Sequence, residues 1–315
     1  MNISVIIPNY NGEELLKKNL PKVYEELSSY KSGKTETVVV DDASTDGSII
    51  FLDQFSKEHK DLHIQKNDRN LGFSSTVNKG VSIASGEIIV LMNTDICPEK
   101  GFLEPLLSHF KDEKVFAVGC LDKSIEGEKT VLRGRGLGEW KRGFLVHRRG
   151  EVDKPNTLWV SGGSGAFRKS IWDALGGLDE VYNPFYWEDI DLSYRALKSG
   201  FTVVFEAGSV VVHEHEKGAI KGKFSASTVK KIAYKNQFIF VWKNADQRLL
   251  LSHLIWLPYH KIKALLRLDL PFFAGFMEAL MLLPKIIVSR QKAQKLFIKS
   301  DKEVINEINK SESLN

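Results

Sequence analysis

Cysteine is nearly missing from this chain. Cys97 and Cys120 are the only two in 315 residues. That is too few for a disulfide framework or a cysteine-rich metal centre, so a reducing compartment is the expectation. Glycine-rich phosphate loops are missing too. Neither GxGxxG nor GxxxxGK[ST] occurs, which counts against dinucleotide and P-loop chemistry. Neither sign of charge dominates: the net charge is +4 and the pI about 8.8, so nucleic acid is not an expected partner. No apolar run reaches the roughly 18 residues of a clear membrane-spanning helix. The opening MNISVIIPNYNG has no basic segment followed by an apolar core, so no signal peptide is expected. With 43% hydrophobic and 27% charged residues, an ordinary globular protein with ample core remains.

What is present is alternation. Residues 3–8, 35–41, 62–65, 87–92 and 115–121 read as strands. Residues 13–30, 48–59, 74–84 and 99–110 read as helices. This rhythm predicts βαβ units and a Rossmann-like, mostly parallel α/β sheet with helices on both faces. Near-continuous Val/Ile runs such as TETVVVD fit strands buried on both sides. From 123 to 156 the pattern loosens, and RGRGLGEWKRG reads as loop or irregular hairpin. A strand at 159–162, helices at 169–175 and 188–199, strands at 202–205 and 210–213, and a helix at 228–242 follow. Three segments are expected: 1–97, 98–242 and, as a C-terminal helical appendage, 243–315.

Ligands of such sheets bind beyond the carboxyl ends of the strands. Three strand ends here carry polar clusters: Asn9-Tyr10-Asn11, the run from Asp41 to Asp46, and Asn93-Thr94-Asp95. Asp41, Asp42 and Asp95 would repel at close range unless a cation or a donor-rich ligand lay between them. Magnesium with a phosphate ligand needs only one or two protein carboxylates, and Asp95 is the candidate. Asn93 could serve as a neutral ligand or a sugar contact, and Asp41 could accept from a base N–H or a ribose hydroxyl. Turn and cap formation accounts well enough for Asp46 and Ser48. In the segment 67–73, Gly72 allows close backbone approach, and Ser74 can cap the next helix.

A second signal is NPFYWEDIDLSYRALKSGF, residues 183–201. Acids favour a helix start, and Asp191 can pair with Arg195 one turn on. That account does not explain Phe185, Tyr186 and Trp187 directly before Glu188 and Asp189. Aromatics beside a carboxylate make a sugar-binding wall with a base in it. Asp189 is the expected base, kept ionised by the helix N-terminus, with Glu188 as second carboxylate. His213 and His215, in VVVHEHE, could bind a metal or a diphosphate. The glycines from Gly162 to Gly165 suit close approach to a ligand. The apolar but basic segment 249–299 has the composition of helices lying on a membrane surface, and residues 306–315 are expected to fray.

These segments together resemble glycosyltransferase family 2, inverting enzymes of GT-A fold, in particular the rhamnosyltransferase-like branch. SVIIPNYNG, VVVDDASTDGS and NRNLGFSSTVNKGVSIASGEIIVLMNTD are similar to the donor-site pattern. SGGSGAFRKSIWDALGGLDEVYNPFYWEDIDLSYRALKSGF is similar to the acceptor side, and VVVHEHE to the strand-end histidine segment. The resemblance implies a nucleoside-diphosphate sugar at Pro8, Asn9, Tyr10, Asp41, Asp42, Asn70, Asn78 and Asn93. It implies Mg2+ or Mn2+ on Asp95, the last acid of the DxD motif, with help from His213. Asp189 falls on the base of the ED motif. Gly163, Trp187 and Glu188 fall on the acceptor side. One departure is Asn93 at the first DxD position, which removes a charge. The acceptor implied is a glycan or lipid-linked hydroxyl, in cell-surface polysaccharide synthesis. An anionic membrane surface is the expected partner, and the cytoplasmic, inner face of the cell membrane the expected place. A sugar nucleotidyltransferase would instead need an Arg/Lys-containing glycine loop where PNYNGEE stands. A non-catalytic nucleotide-sugar binding or scaffold protein is the other alternative.

Overall fold

The structure is a computed structural model that describes residues 1–213 and 224–310. His215 lies outside the described residues, as do 311–315.

Strands β1 (Ile3–Asn9), β2 (Thr35–Asp41), β3 (Leu62–Lys66) and β4 (Ile88–Met92) pair in parallel, in the order β3-β2-β1-β4. Helices α1 (Glu13–Ser29), α2 (Ser48–Phe55) and α3 (Phe73–Ile83) are the crossovers. Alternate residues of each strand enter opposite layers, as a period of two demands. Val5, Ile7, Val39 and Val90 pack with Leu16 and Leu20 of α1. Ile6, Val38, Val40, Ile89 and Leu91 pack with Val77 and Val81 of α3. Gly80 lets α3 sit against the sheet, since a Cβ there would lie 2.5 Å from Ile6 Cγ2. The register places Asn9 beside Asp41, so two of the polar strand ends are neighbours.

Beyond β4 come β5 (Ile96–Pro98), α4 (Leu103–Ser108) and β6 (Val115–Glu126). Residues 123–156 are more ordered than the sequence suggests. β6 turns back into β7 (Lys129–Arg133), and β8 (Gly136–Lys141) with β9 (Phe144–Arg149) forms a separate hairpin. Its two-residue turn, Arg142-Gly143, has both φ positive, the twist a tight hairpin requires. The strand expected at 159–162 is displaced. The glycines at 162–163 form a turn, and β10 (Ser164–Arg168) follows, antiparallel to both β4 and β6. After α5 (Lys169–Leu175) and α6 (Glu188–Lys198), the two expected strands are one, β11 (Thr202–His213), bulged between Glu206 and Val210. It runs parallel to β6 and pairs His213 with Ile96 of β5.

Helix α7 (Ala226–Asn244) carries the appendage: α8 (Gln247–Leu266), α9 (Leu270–Met281), α10 (Leu283–Gln294) and α11 (Asp301–Asn309). Gly275 of α9 meets the backbone of α7 so closely that a Cβ would lie 2.7 Å from the Lys231 carbonyl. Arg290 of α10 donates to the carbonyls of Trp242, Lys243 and Ala245. The fraying expected at 306–309 is not found. Ser300 and Glu303 form a capping box for α11, and Asn156 donates to the Ile308 carbonyl. No single described helix is long and apolar enough to cross a membrane; α9 and α10 together pass by length and composition but bend by 68°.

α8 is pinned by buried His253. Trp242 Nε1 donates to its Nε2 at 3.1 Å, so its Nδ1 carries the hydrogen facing the Gly143 carbonyl at 3.0 Å. Burial lowers its pKa to about 4. The folded histidine is therefore neutral where the unfolded one, near 6.5, already takes a proton, and stability is lost as pH falls through that window. Relative to His253→Gln, the wild type should lose roughly 2–3 kcal/mol between pH 7 and pH 4.5. Thermal unfolding of both proteins at the two pH values measures this; parallel losses would mean that His253 titrates normally.

Candidate active site at the strand ends

The strand ends open into a cleft of about 410 Å3. Pro8, Asn9, Tyr10, Asp42 and Asn70 line it, as do Asn93, Thr94, Asp95, Gly163, Glu188, Asp189 and His213. Residues distant in sequence, Asp42, Asp95 and Asp189, thus share one cavity.

On the nucleotide side, Asp42 shapes the loop after β3. Its carboxylate accepts from Asn67 Nδ2 at 2.8 Å, Leu71 N at 2.8 Å and Gly72 N at 3.0 Å. Gly72, at φ 86°, adopts the left-handed conformation this loop needs. Two expected contacts are corrected here. Asp41 does not line the cleft. It is buried beneath it, accepting from Asn9 Nδ2 at 2.7 Å and from Ser44 Oγ and N at 2.6 and 2.9 Å. Asn78 does not line it either. Its amide is spent on the Leu178 backbone, donating to the carbonyl at 2.7 Å and accepting from the N–H at 3.0 Å.

The third strand end holds buried oxygens with no partner among the described residues: Asn93 Oδ1 and Asp95 Oδ1. An unsatisfied buried acceptor costs free energy, and a cation would relieve both. No group of three or more His, Cys, Asp or Glu among the described residues makes a complete metal cage. One carboxylate, one amide oxygen and the phosphates of a ligand fit what Mg2+ or Mn2+ accepts. His213 closes this wall. Its Nε2 lies 3.2 Å from Asp95 Oδ2 and its Nδ1 3.0 Å from Asp122 Oδ2. Burial alone would lower its pKa, but the two carboxylates outweigh it and push it up to about 9. His213 is therefore an imidazolium at neutral pH. Asp122 carried no sequence signal, because only the pairing of β11 with β6 and β5 brings it here.

The opposite chemistry sits on the turn 183–187. Tyr186 and Trp187 both have positive φ, 73° and 76°, and this changes which ring meets the cleft. Phe185 and half-exposed Tyr186 line it. Trp187, expected on the acceptor side, instead packs inward, 5.1 Å from the rings of Phe240 and His147. Glu188 is buried with Oε2 unpartnered, and burial together with the neighbouring Asp189 charge drives its pKa well up. Asp189 accepts from Ile190 N at 2.8 Å and Gly162 N at 3.3 Å. These bonds favour its charge, as expected of a helix start, but burial prevails and its pKa is raised. Burial raises both carboxyls, Glu188 further than Asp189. Gly163 lets the turn after residue 161 approach the third strand end closely: a Cβ there would lie 2.7 Å from Asn93 Nδ2.

What holds this turn was invisible in sequence. Asn236, fully buried on α7, points its Nδ2 at the carbonyls of Tyr182, Phe185 and Tyr186, 2.8–2.9 Å away. Beside it Lys235 donates to the Asn183 carbonyl at 2.6 Å, and burial lowers its pKa to about 8. Asn183 then reaches across, donating to the Leu71 carbonyl and to Ser75 Oγ and accepting from Ser74 N. The turn 183–187 and the loop after β3 are stitched together.

Residues 4–176, more than half of the chain, match the family described as Glycosyl transferase family 2. The chain belongs to glycosyltransferase family 2. Curated relatives include a pre-mycofactocin glycosyltransferase of Mycobacterium tuberculosis, 29% identical over 68% of this chain and 43% of its own length. An O-antigen chain rhamnosyltransferase of Salmonella typhimurium is 22% identical over 68% of this chain and 67% of its own. The chain thus spans less than half of the mycobacterial relative. Among solved structures, GalNAc-T7 with UDP, GalNAc and Mn2+ has a TM-score of 0.71 at 18% identity, covering 99% of this chain and 57% of that one. A Pyrobaculum calidifontis mannosyltransferase with GDP-Man and Mn2+ has a TM-score of 0.57 at 18% identity, covering 88% and 86%. This family-2 member therefore has the GT-A fold.

Asn236→Leu should leave the carbonyls of the turn unpaired and cost on the order of 3 kcal/mol. Denaturant unfolding measures it, and a loss below half that figure would mean that the turn stands without its clamp.

Proposed function

We propose that this protein transfers a sugar from a nucleoside-diphosphate sugar to an acceptor hydroxyl, with inversion at the anomeric carbon. One observation carries the reading: Asp189, Asn93 and Asp95 line a single cleft. A base for an acceptor and a seat for a leaving diphosphate are what one displacement needs.

In this mechanism Asp189 takes the acceptor proton as that oxygen attacks C1 and the bond to the diphosphate breaks on the far side. Its raised pKa makes it a better base than an ordinary aspartate. Mg2+ or Mn2+, held by Asp95 with Asn93 beside it, would supply charge neutralisation for the departing diphosphate. His213, hydrogen-bonded to Asp95 and Asp122, closes the same wall. Pro8, Asn9, Tyr10, Asp42 and Asn70 face the nucleotide, with Asp41 bracing Asn9 from below. Gly163, Tyr186 and Glu188 face the acceptor. The acceptor is a glycan or a lipid-linked hydroxyl, in the manner suggested by the O-antigen rhamnosyltransferase relative. The enzyme works at the cytoplasmic face of a membrane, on a cell-envelope polysaccharide. Residues 1–97 serve the donor, 98–242 the acceptor and 243–315 the surface.

Asp189→Asn should lower turnover by about 100-fold to 10,000-fold while nucleotide sugars still raise the melting temperature. Asp95→Ala should lose the Mn2+-dependent part of that stabilisation. A thermal-shift screen of UDP-, dTDP- and GDP-sugars with and without Mn2+, followed by transfer assays on the hits, tests both. Binding with undiminished turnover in Asp189→Asn would refute the base. No binding of any nucleotide sugar by the wild type would refute the donor site. For wild-type kcat/KM, the acid limb should fall above the pH of an ordinary aspartate, because activity is lost as Asp189 gains its proton.

A further inference from the structure

Helix α8 presents an apolar stripe to water as well as to the core, against which Leu249, Leu250 and Leu257 pack. The residues it buries are His253 and Ala264. The residues it exposes are Leu251, Leu254, Ile255, Ile262, Leu265 and Leu266, each 59–81% accessible. Their spacing puts them on one stripe of the helix. The corner after α8 continues the pattern. Leu268 is 80% exposed and sits at φ 51°, where glycine or asparagine would be at ease, and Leu270 follows at 73%. Most exposed large hydrophobic side chains among the described residues lie between 251 and 298. A monomer in water rarely shows so much apolar surface in one region.

Charge selects the occupant. Between 247 and 300 stand nine basic residues and only two acids, Asp269 and Glu278. Both acids are neutralised within the protein, by Lys230 at 2.8 Å and Lys231 at 2.5 Å. Trp256 and Tyr259 flank the stripe with Arg142 over both rings, at 5.6 and 5.0 Å, the aromatic and basic mixture of a bilayer interface. A separate groove of about 890 Å3 runs beside α10, lined by Leu178, Val288 and Leu296 and by Lys285, Lys292 and Lys295. Those three lysines lie on one side of α10, from its first turn to its end, with apolar carbons between them.

We infer that the C-terminal helices dock on an anionic membrane. The outer stripe of α8 and the corner at Leu268–Leu270 enter the acyl region, and the α10 groove receives the phosphate headgroups of the same lipids. This deepens the membrane placement proposed above; it rests on that reading for the acceptor's location, not for the binding itself.

The full chain is sedimented, without nucleotide sugar, with vesicles of phosphatidylcholine alone or of phosphatidylcholine and phosphatidylglycerol at 3:1. The wild type should pellet with the anionic vesicles, at least tenfold better than with the neutral ones, and the preference should shrink in 0.5 M salt. Leu254→Asp with Leu265→Asp should lose at least tenfold in partitioning to anionic vesicles. Both sites are exposed, so the fold should survive, and circular dichroism checks it. Lys285→Glu, Lys292→Glu and Lys295→Glu together should abolish the anionic preference. A wild type that stays in the supernatant overturns the inference. So does a concentration-dependent dimer, dispersed by the two aspartates, with no vesicle binding, since a second copy would then own the face. Lysine variants that bind like wild type remove the groove from the proposal. Nucleotide-sugar binding, measured separately by thermal shift, remains intact or fails independently of these outcomes.

Discussion

Four donors converge on the carboxylate of Asp191: Tyr182 Oη, Arg195 Nε, Lys243 Nζ and Asn244 Nδ2, each at 2.8 Å. The group is wholly buried, and its two cations hold its pKa below the ordinary value against the burial that would raise it. Breaking such a buried pair by removing one partner costs about 3–5 kcal/mol. Asp191 stands one turn from Glu188 and Asp189, so this is also the anchor of the reactive end of α6. Arg195 ties it to the carbonyls of Leu175 and Gly177, and Lys243 extends it to Asp179 at 2.6 Å. Ser289 of α10 completes the chain by donating to Asp179. The acids of α6 therefore divide their labour: Asp191 is fully hydrogen-bonded and inert, while Asp189 faces the cleft.

That hub makes α7 an internal wall of the site and not a connector. One part of it carries Lys243 and Asn244 into the Asp191 network, and another presents Lys235 and Asn236 to the base turn. Its remaining surface is covered by α9 and α10. A second buried cation, Lys198, repeats the arrangement farther along α6, bonding to Asp246 at 2.6 Å and Asp301 at 3.1 Å. The appendage is thus joined to the catalytic half by buried ion pairs, whose geometry is demanding, while its outer surface is left apolar. These helices also bury Phe272, Ala279, Ile286 and Val304 in the core, so their inward faces do the structural work and their apolar outer surface is separate from it.

How much of this could be read from the chain varies with the range of the interaction. The strands β1, β2 and β4 announced themselves, because burial on both faces demands unbroken Val and Ile. The polar clusters after them were legible for the same reason: they interrupt those runs. The finer choice between Asp41 and Asp42 was not, because one residue of strand register turns a side chain from beneath the cleft to its wall. Trp187 failed for a related reason. Two consecutive left-handed residues redirect the aromatic series, and no periodicity predicts them. Asn78 belongs to α3, but it faces the Leu178 loop and not the strand ends. Asp122, Asn183 and Asn236 act entirely through space, and a single sequence gives no sign of partners 50 to 112 residues away. The β8–β9 hairpin was legible only as a loop or irregular hairpin, because its turn uses Arg-Gly in place of the commoner Asn-Gly.

The substitution at position 93 is best understood from the charges around it. With Asn93 in place of an acid, this wall of the cleft contains Asp95 and Asp122 with His213 between them, protonated at neutral pH when no metal is bound. A second acid at 93 would add repulsion that His213 alone could not offset. The amide avoids that cost, and its Nδ2 lies where a Cβ on Gly163 would come within 2.7 Å. The neutral residue at 93, the cation at 213 and the glycine at 163 are therefore mutually consistent choices. Each is intelligible only in the presence of the other two, which is why the departure of one motif position from the family pattern does not unmake the site.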